Sequence, residues 1–200
     1  PEYPADFSGG FILVNTKDVP SSNLFTISVG TSLNDQTHFK KFLYNKGSGT
    51  DFLGFDNGFR SLKGGINAVL SPMNNGYDLL NNGLNNDWTV KDRRPLADLS
   101  LNMNFSRRWV DSSGRTLAIL GTVNYSNSYR TYLDMDNNLF GAYDMTHDCS
   151  NYLRKSIDDQ YNHSVRIGTM LNFTYIPASG NSRYEFKNIF NQLGKDRYTY

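Results

Sequence analysis

Five long runs in which apolar and polar residues alternate constrain the fold of this chain more than any other feature. A period of two belongs to a β-strand whose two faces meet different surroundings. The clearest run puts Leu117, Ile119, Gly121, Val123, Tyr125 and Tyr129 on one face and Thr122, Asn124, Ser126, Ser128 and Arg130 on the other. Upstream, Ala97, Leu99, Leu101, Met103, Phe105 and Trp109 oppose Asp98, Ser100, Asn102, Asn104, Ser106 and Arg108. Downstream, Tyr161, Val165, Ile167, Thr169, Leu171, Phe173 and Tyr175 oppose Asn162, Ser164, Arg166, Gly168, Asn172 and Thr174. Phe25, Ile27, Val29 and Leu33 repeat the pattern near the start, and Tyr184, Phe186 and Phe190 repeat it near the end.

Each run is about ten residues or longer, whereas soluble strands centre on about five or six. Roughly 9–11 tilted residues cross a bilayer as a strand. A face of Asn, Ser, Thr and Arg suits a water-filled or plugged lumen. The expected fold class is therefore all-β: an antiparallel transmembrane β-barrel segment of about five long strands.

The connections carry a second asymmetry. Asp111-Ser112-Ser113-Gly114-Arg115 and Pro177-Ala178-Ser179-Gly180-Asn181-Ser182 are short and rich in turn formers, so they read as hairpin turns. About sixty residues separate the first run from the second and about thirty separate the third from the fourth, far beyond an ordinary loop of roughly 4–6. Short periplasmic turns alternating with long extracellular loops are the arrangement of outer-membrane barrels. The loop over 35–94 is dense in Gly and Asn, so turns are expected there, with a short helical piece at Asp78-Leu79-Leu80.

Composition then removes several classes. Twenty Lys and Arg against 19 Asp and Glu leave a net charge of +1, which argues against a strongly basic nucleic-acid binder. No window approaches the roughly 18–20 continuous apolar residues of a membrane helix, a test that alternating strands escape. Cys149 is the one cysteine, so an internal disulfide and a Cys-rich zinc site are both excluded. Pro1-Glu2-Tyr3-Pro4 has neither an initiator Met nor a signal-peptide pattern, and the chain is expected to be cut from a longer one.

Residues 6–17, Asp6-Phe7-Ser8-Gly9-Gly10-Phe11-Ile12-Leu13-Val14-Asn15-Thr16-Lys17, resemble the closing segment of the plug domain in TonB-dependent outer-membrane receptors. Thr37-His38-Phe39-Lys40-Lys41-Phe42, Gly54-Phe55-Asp56-Asn57-Gly58 and Arg60-Ser61-Leu62 look like the first barrel hairpin of such receptors, and residues 185–192 look like a later strand. The resemblance implies residues 1–20 as the end of a plug and 21–200 as the N-terminal part of a barrel. The family closes about 22 strands around its plug, so five strands are expected to be a fragment.

That resemblance also implies a bacterial outer-membrane location and energy-coupled uptake of a nutrient such as siderophore-iron, a corrinoid or an oligosaccharide. The implied partners are outer-membrane lipid, the TonB energy-coupling protein through the N-terminal region, the transported small molecule or oligosaccharide, and a surface lipoprotein; nucleic acid is not among them. The rivals are a soluble β-sandwich carbohydrate-binding module and a passive porin-type barrel.

Little in the sequence points to catalysis. No nucleophile elbow, P-loop or paired-acid constellation occurs, so neither enzyme activity nor a cofactor is expected. Asp134-Met135-Asp136-Asn137-Asn138 begins like an EF-hand loop, but Leu139 and Met145 stand where Gly and Glu are required. A looser calcium site on Asp134 and Asp136 ranks below plain solvated carboxylates. His38, His147 and His163 lack metal-ligand spacing, and no resident metal is expected; the register of His163 suggests the bilayer interface. Tyr44, Phe55, Tyr77 and Trp88 are the loop aromatics expected to stack on a ligand, with loop packing as the alternative. Arg108, Arg130 and Arg166 are expected to face the lumen, either meeting plug carboxylates or lining an anion path. Trp109 and Tyr175 at one end, with Tyr129, Tyr132 and Tyr161 at the other, suggest two aromatic girdles.

Overall fold

The computed structural model describes residues 16, 19–61, 87 and 89–200. All five alternating runs form strands: β1 (Leu24–Ser32), β4 (Asp98–Val110), β5 (Thr116–Asp144), β6 (Cys149–Ile176) and β7 (Tyr184–Thr199). They make one mostly antiparallel sheet in the order β1-β4-β5-β6-β7, which is not closed as a barrel. Two short strands, β2 (Phe42–Asn45) and β3 (Val90–Arg93), pair antiparallel as a separate ribbon inside the long connection between β1 and β4. Residues 1–15, 17 and 18, which carry most of the plug-like segment, lie outside the described residues, as does the helical piece expected at Asp78-Leu79-Leu80.

Both short turns form where the sequence puts them. Gly114, at φ 80°, donates its N–H to the Asp111 carbonyl at 2.9 Å, and Asp111 N–H reaches the Arg115 carbonyl at 2.9 Å. Gly180, at φ 67°, donates to the Pro177 carbonyl at 3.0 Å. Positive φ carries no steric penalty for glycine, so both residues sit where a left-handed position closes the turn.

The expected thirty-residue loop between the third and fourth runs needs correction. β5 and β6 continue as one long hairpin and turn only between Asp144 and Cys149. The extension binds itself: Asn137 Nδ2 donates to Asp158 Oδ2 at 2.6 Å, Ser156 Oγ to the Asn137 carbonyl at 3.0 Å, and Asp134 N–H to Asp159 Oδ1 at 3.0 Å. Exposed side chains predominate on both strands here, so no alternation marks the segment as β.

The chain divides into two compact units. Unit 1 takes in Asn104–Thr122, Met170–Ile189 and the described residues up to Thr26, and thus holds both short turns. Its burial is inverted relative to a soluble sheet. Asn172 and Thr174 are 1% and 0% exposed, while their apolar neighbours Leu171 and Phe173 are 49% and 38% exposed. Thr116 and Ala118 are buried, and Phe25, Trp109 and Phe186 are exposed. Asn172 Nδ2 meets Thr16 Oγ1 at 2.9 Å, so the buried polar face finds hydrogen-bonding company.

Unit 2 comprises Ile27–Met103, Val123–Thr169 and Phe190–Tyr200. Its packed centre is aromatic: Phe42 is buried edge-on against Tyr129 and Tyr161, at centroid distances of 5.4 and 5.5 Å. Buried positions of β6 here are Tyr161, His163 and Val165, all odd, whereas Gly168, Asn172 and Thr174 further along the strand are even. In unit 2 the β2–β3 ribbon and its loop cover odd-numbered residues of β6, and in unit 1 even-numbered residues are the enclosed ones. Tyr129 and Tyr161 pack around Phe42, and Val165 is buried against the larger cavity.

Candidate functional site

The site develops from the register of the β2–β3 ribbon. Phe42 pairs with Arg93 and Tyr44 with Lys91, so these four side chains share one face, while Leu43, Asn45, Val90 and Asp92 share the other. The Arg93 guanidinium carbon lies 4.5 Å from the Tyr44 ring centroid, 4.8 Å from that of Tyr129 and 5.6 Å from that of Phe42. Three electron-rich faces around one cation replace part of its hydration.

After β2 the chain forms a loop locked by its own polar groups. The Ser48 hydroxyl accepts from Thr50 N–H at 3.2 Å and from Asn57 N–H at 3.1 Å. A single 3₁₀ turn, Asp51–Leu53, ends at Gly54 with φ 75°. Arg60 grips Asp51 with a two-pronged fork, Nη1 to Oδ1 at 2.7 Å and Nη2 to Oδ2 at 2.8 Å, and also reaches Asp56 Oδ1 at 3.0 Å. Bidentate pairs of this kind are both strong and direction-fixing.

The locked loop docks on the strands of unit 2 through its backbone carbonyls. Tyr125 hydroxyl donates to the Phe52 carbonyl at 2.8 Å, Gln192 Nε2 donates to the Gly54 carbonyl at 2.7 Å, and Phe55 stacks on Phe190 at 6.1 Å. Gly54 and Gly194 approach so closely that a Cβ on Gly194 would lie 2.8 Å from the Gly54 Cα. Gly194→Ala should therefore cost about 1–3 kcal/mol by overpacking. Urea unfolding measures the loss, and faster proteolysis within 48–60 would place it at the docked loop.

Asp56 adds a pH dependence. Burial acts to raise its pKa, but the N–H groups of Arg60 and Gly58 and the Arg60 guanidinium outweigh it and hold the carboxyl below its usual value near 3.8. A folded value below the unfolded one makes the anion part of the lock. Its contribution is complete above about pH 4 and is lost as pH falls through the lower folded value. The protection of the Gly58 and Arg60 amides, taken relative to intrinsic exchange at each pH, should fall in that acidic window and stay flat from pH 5 to 7.

Two adjoining cavities open beneath these elements. One, of about 330 Å³, lies between the loop and strands β6 and β7, against Asp51, Arg60, His163, Gln192 and Asp196. The other, of about 300 Å³, lies under the ribbon against Tyr44, Lys91, Arg93 and Tyr129, and shares Asp51, His163 and Asp196 with the first. His163 is buried, stacked on Tyr129 at 4.3 Å, with Nε2 2.9 Å from Asn127 Oδ1. The interfacial position suggested by its register is corrected: the ribbon and loop that pack on this part of β6 enclose it in the aromatic cluster.

The residues singled out in the sequence are only partly brought together. Tyr44 lines the smaller cavity and Phe55 the larger. Tyr77 and Trp88 lie outside the described residues. Arg108 is exposed in unit 1, its backbone N–H bonded to Asn23 Oδ1 at 2.8 Å. Arg130 pairs at 2.5 Å with Asp98 of the neighbouring strand β4, so its carboxylate partner is not a plug residue. Arg166 is exposed. His38 Nε2 lies 3.0 Å from Asp98 Oδ1 and His147 Nδ1 lies 2.7 Å from Asp144 Oδ2; no group of three or more metal-binding side chains forms among the described residues.

Sequence reasoning missed Arg93, Lys91, Asp51, Arg60 and Asp196. The alternation Phe42-x-Tyr44 opposite Lys91-x-Arg93 was a readable signal, but only knowledge of the pairing register joins its halves across the long loop. No protein-family model, curated protein or solved structure matches the chain.

Proposed function

We propose that this chain supplies membrane-crossing strands to a TonB-dependent outer-membrane receptor that imports a nutrient into a bacterium. The inverted burial of unit 1 carries the reading: Asn172 and Thr174 are enclosed while Leu171 and Phe173 are open. Water would favour the opposite arrangement by about 25 cal/mol for each Å² of apolar surface, whereas hydrocarbon favours the one observed. The long strands, the two short turns and the plug-like residues 6–17 support the same reading.

Under it, β1 and β7, the edges of the five-stranded sheet, pair with further strands. An open edge in hydrocarbon leaves backbone groups unsatisfied at several kcal/mol each. The cavities of unit 2 then form part of the ligand-binding end, and aromatic and charged loop residues meet the solute before transport. Refolding separates this reading from the soluble sandwich. Far-UV circular dichroism and proteinase digestion should show protected β-structure in lipid vesicles or micelles and none in buffer. Protected β-structure in buffer alone would overturn it.

A further inference from the structure

The smaller cavity holds a cation whose hydrogen bonding is incomplete. Arg93 Nε is buried without a hydrogen-bond partner, and Arg93 makes no ion pair among the described residues. Its three aromatic neighbours stabilise positive charge but accept no in-plane hydrogen bond of ordinary strength. A buried donor left unmet costs about 1–3 kcal/mol, so its persistence in a cavity wall calls for an external acceptor.

The charges around this cavity identify that acceptor. Asp51 is already held in the Arg60 fork, and Lys46 pairs with Asp87 at 3.4 Å. Asp196 is left as one negative charge, and Lys91 and Arg93 as two positive ones. One net positive charge remains, with a guanidinium edge that fits an oxyanion and an ammonium beside it. Around them stand the Tyr44 and Tyr129 rings and the chain over 45–49, and the volume of about 300 Å³ is that of a small-solute pocket.

We infer that the cavity under the β2–β3 ribbon is a subsite for an acidic sugar, a ring-bearing solute whose carboxylate or phosphate is held by Arg93 and Lys91. The sugar hydroxyls meet the polar chain over 45–49 that lines the wall, and its apolar face meets Tyr44. The assignment names the substrate class of the candidate site and rests on the import reading for its role in uptake.

The test is calorimetric titration of the full chain, folded in whichever of micelles or buffer supports protected β-structure, with D-glucuronate, D-glucose 6-phosphate and D-glucose. One or both acids should bind at least about 10-fold more tightly than glucose, with an advantage that shrinks as salt rises. Which acid binds identifies the oxyanion. Arg93→Gln should weaken acid binding by about 10- to 100-fold. Arg93→Lys should restore only part of it, because an ammonium lacks the planar fork.

If Arg93→Gln does not fold, Lys91→Gln takes its place, with a smaller loss of acid binding and a weaker salt dependence. Equal affinity for all three sugars, no binding of any, or an acid preference untouched in the folded variants would overturn the subsite. Arginine at Leu171 tests the import reading separately. Acid binding without a membrane cost at Leu171 removes import and leaves the subsite, while the reverse result removes the subsite alone.

Discussion

Arginine at Leu171 is expected to destabilise the chain in lipid vesicles by about 2–4 kcal/mol. Leu171 is half exposed on β6, five positions before its last residue, Ile176. At about 3.4 Å per residue and a tilt of about 45°, that separation corresponds to roughly 12 Å of depth, close to the middle of an apolar band about 25 Å tall. A guanidinium there is far from both interfaces. In a soluble sheet the same substitution at an exposed position would change stability by no more than about 0.5 kcal/mol. Urea unfolding in vesicles, with Ser179→Arg in the short turn as a neutral control, separates these outcomes. A cost below about 1 kcal/mol at Leu171 would remove the membrane orientation.

Asp98→Ala is expected to cost about 3–5 kcal/mol, the scale for removing one member of a buried charged network. The Asp98 carboxylate gathers donors from four places: Ser32 Oγ at 3.0 Å, His38 Nε2 at 3.0 Å, Tyr129 N–H at 2.9 Å and Arg130 Nη1 at 2.5 Å. Asn34 N–H donates to His38 Nδ1 at 2.6 Å, so the imidazole proton sits on Nε2 and points at Asp98. Thr37 Oγ1 accepts from Thr131 N–H at 2.9 Å nearby, and Phe39 is held at φ 63° with its N–H on the Pro95 carbonyl at 2.9 Å. One carboxylate thus fastens the entry of the long loop to β1, β4 and β5.

Ser32→Ala should cost only about 1 kcal/mol. The double variant of Asp98→Ala with His38→Ala should cost less than the sum of its parts, because both act through one bond. Urea unfolding of the unmodified chain, the three single variants and the double variant measures all of this. A loss below about 1 kcal/mol for Asp98→Ala would show that solvent replaces the network.

Where alternation was strong, sequence and structure agree. Leu117 through Val123 and Leu171 through Tyr175 lie on strands because two unlike surroundings write a period of two into the chain. Beyond Arg130 the period fades, and the β5–β6 hairpin nonetheless runs on to Asp144. A ribbon exposed on both faces gives selection nothing to alternate, and residues such as Asp136-Asn137-Asn138 resemble turn formers. Its backbone pairing is cooperative with the paired strands below and needs no apolar face to continue.

Which face is covered was the second loss. Tyr129, Tyr161 and His163 read as outward-facing because alternation tells two faces apart but not which element of a distant loop packs on one of them; here the ribbon residue Phe42 covers Tyr129 and Tyr161, and His163 stacks on Tyr129. Of the binding residues expected from the sequence, Tyr44 and Phe55 reach the cavities, since exposed aromatic residues in long loops readily cover polar clefts. Arg130 and Arg166 do not line them: Arg130 is turned to Asp98, and Arg166 is exposed.

The sequence by itself determined the all-β class, the five strands and the two short turns, all of them consequences of local periodicity and turn chemistry. Only the tertiary structure decided the candidate site. Arg93 meets Tyr44 across more than forty intervening positions, Asp51 is clamped by Arg60, and β7 brings Asp196 from near the other end of the chain. Charge compensation and close approach act through space, and no period along the chain records which distant residues will share a wall.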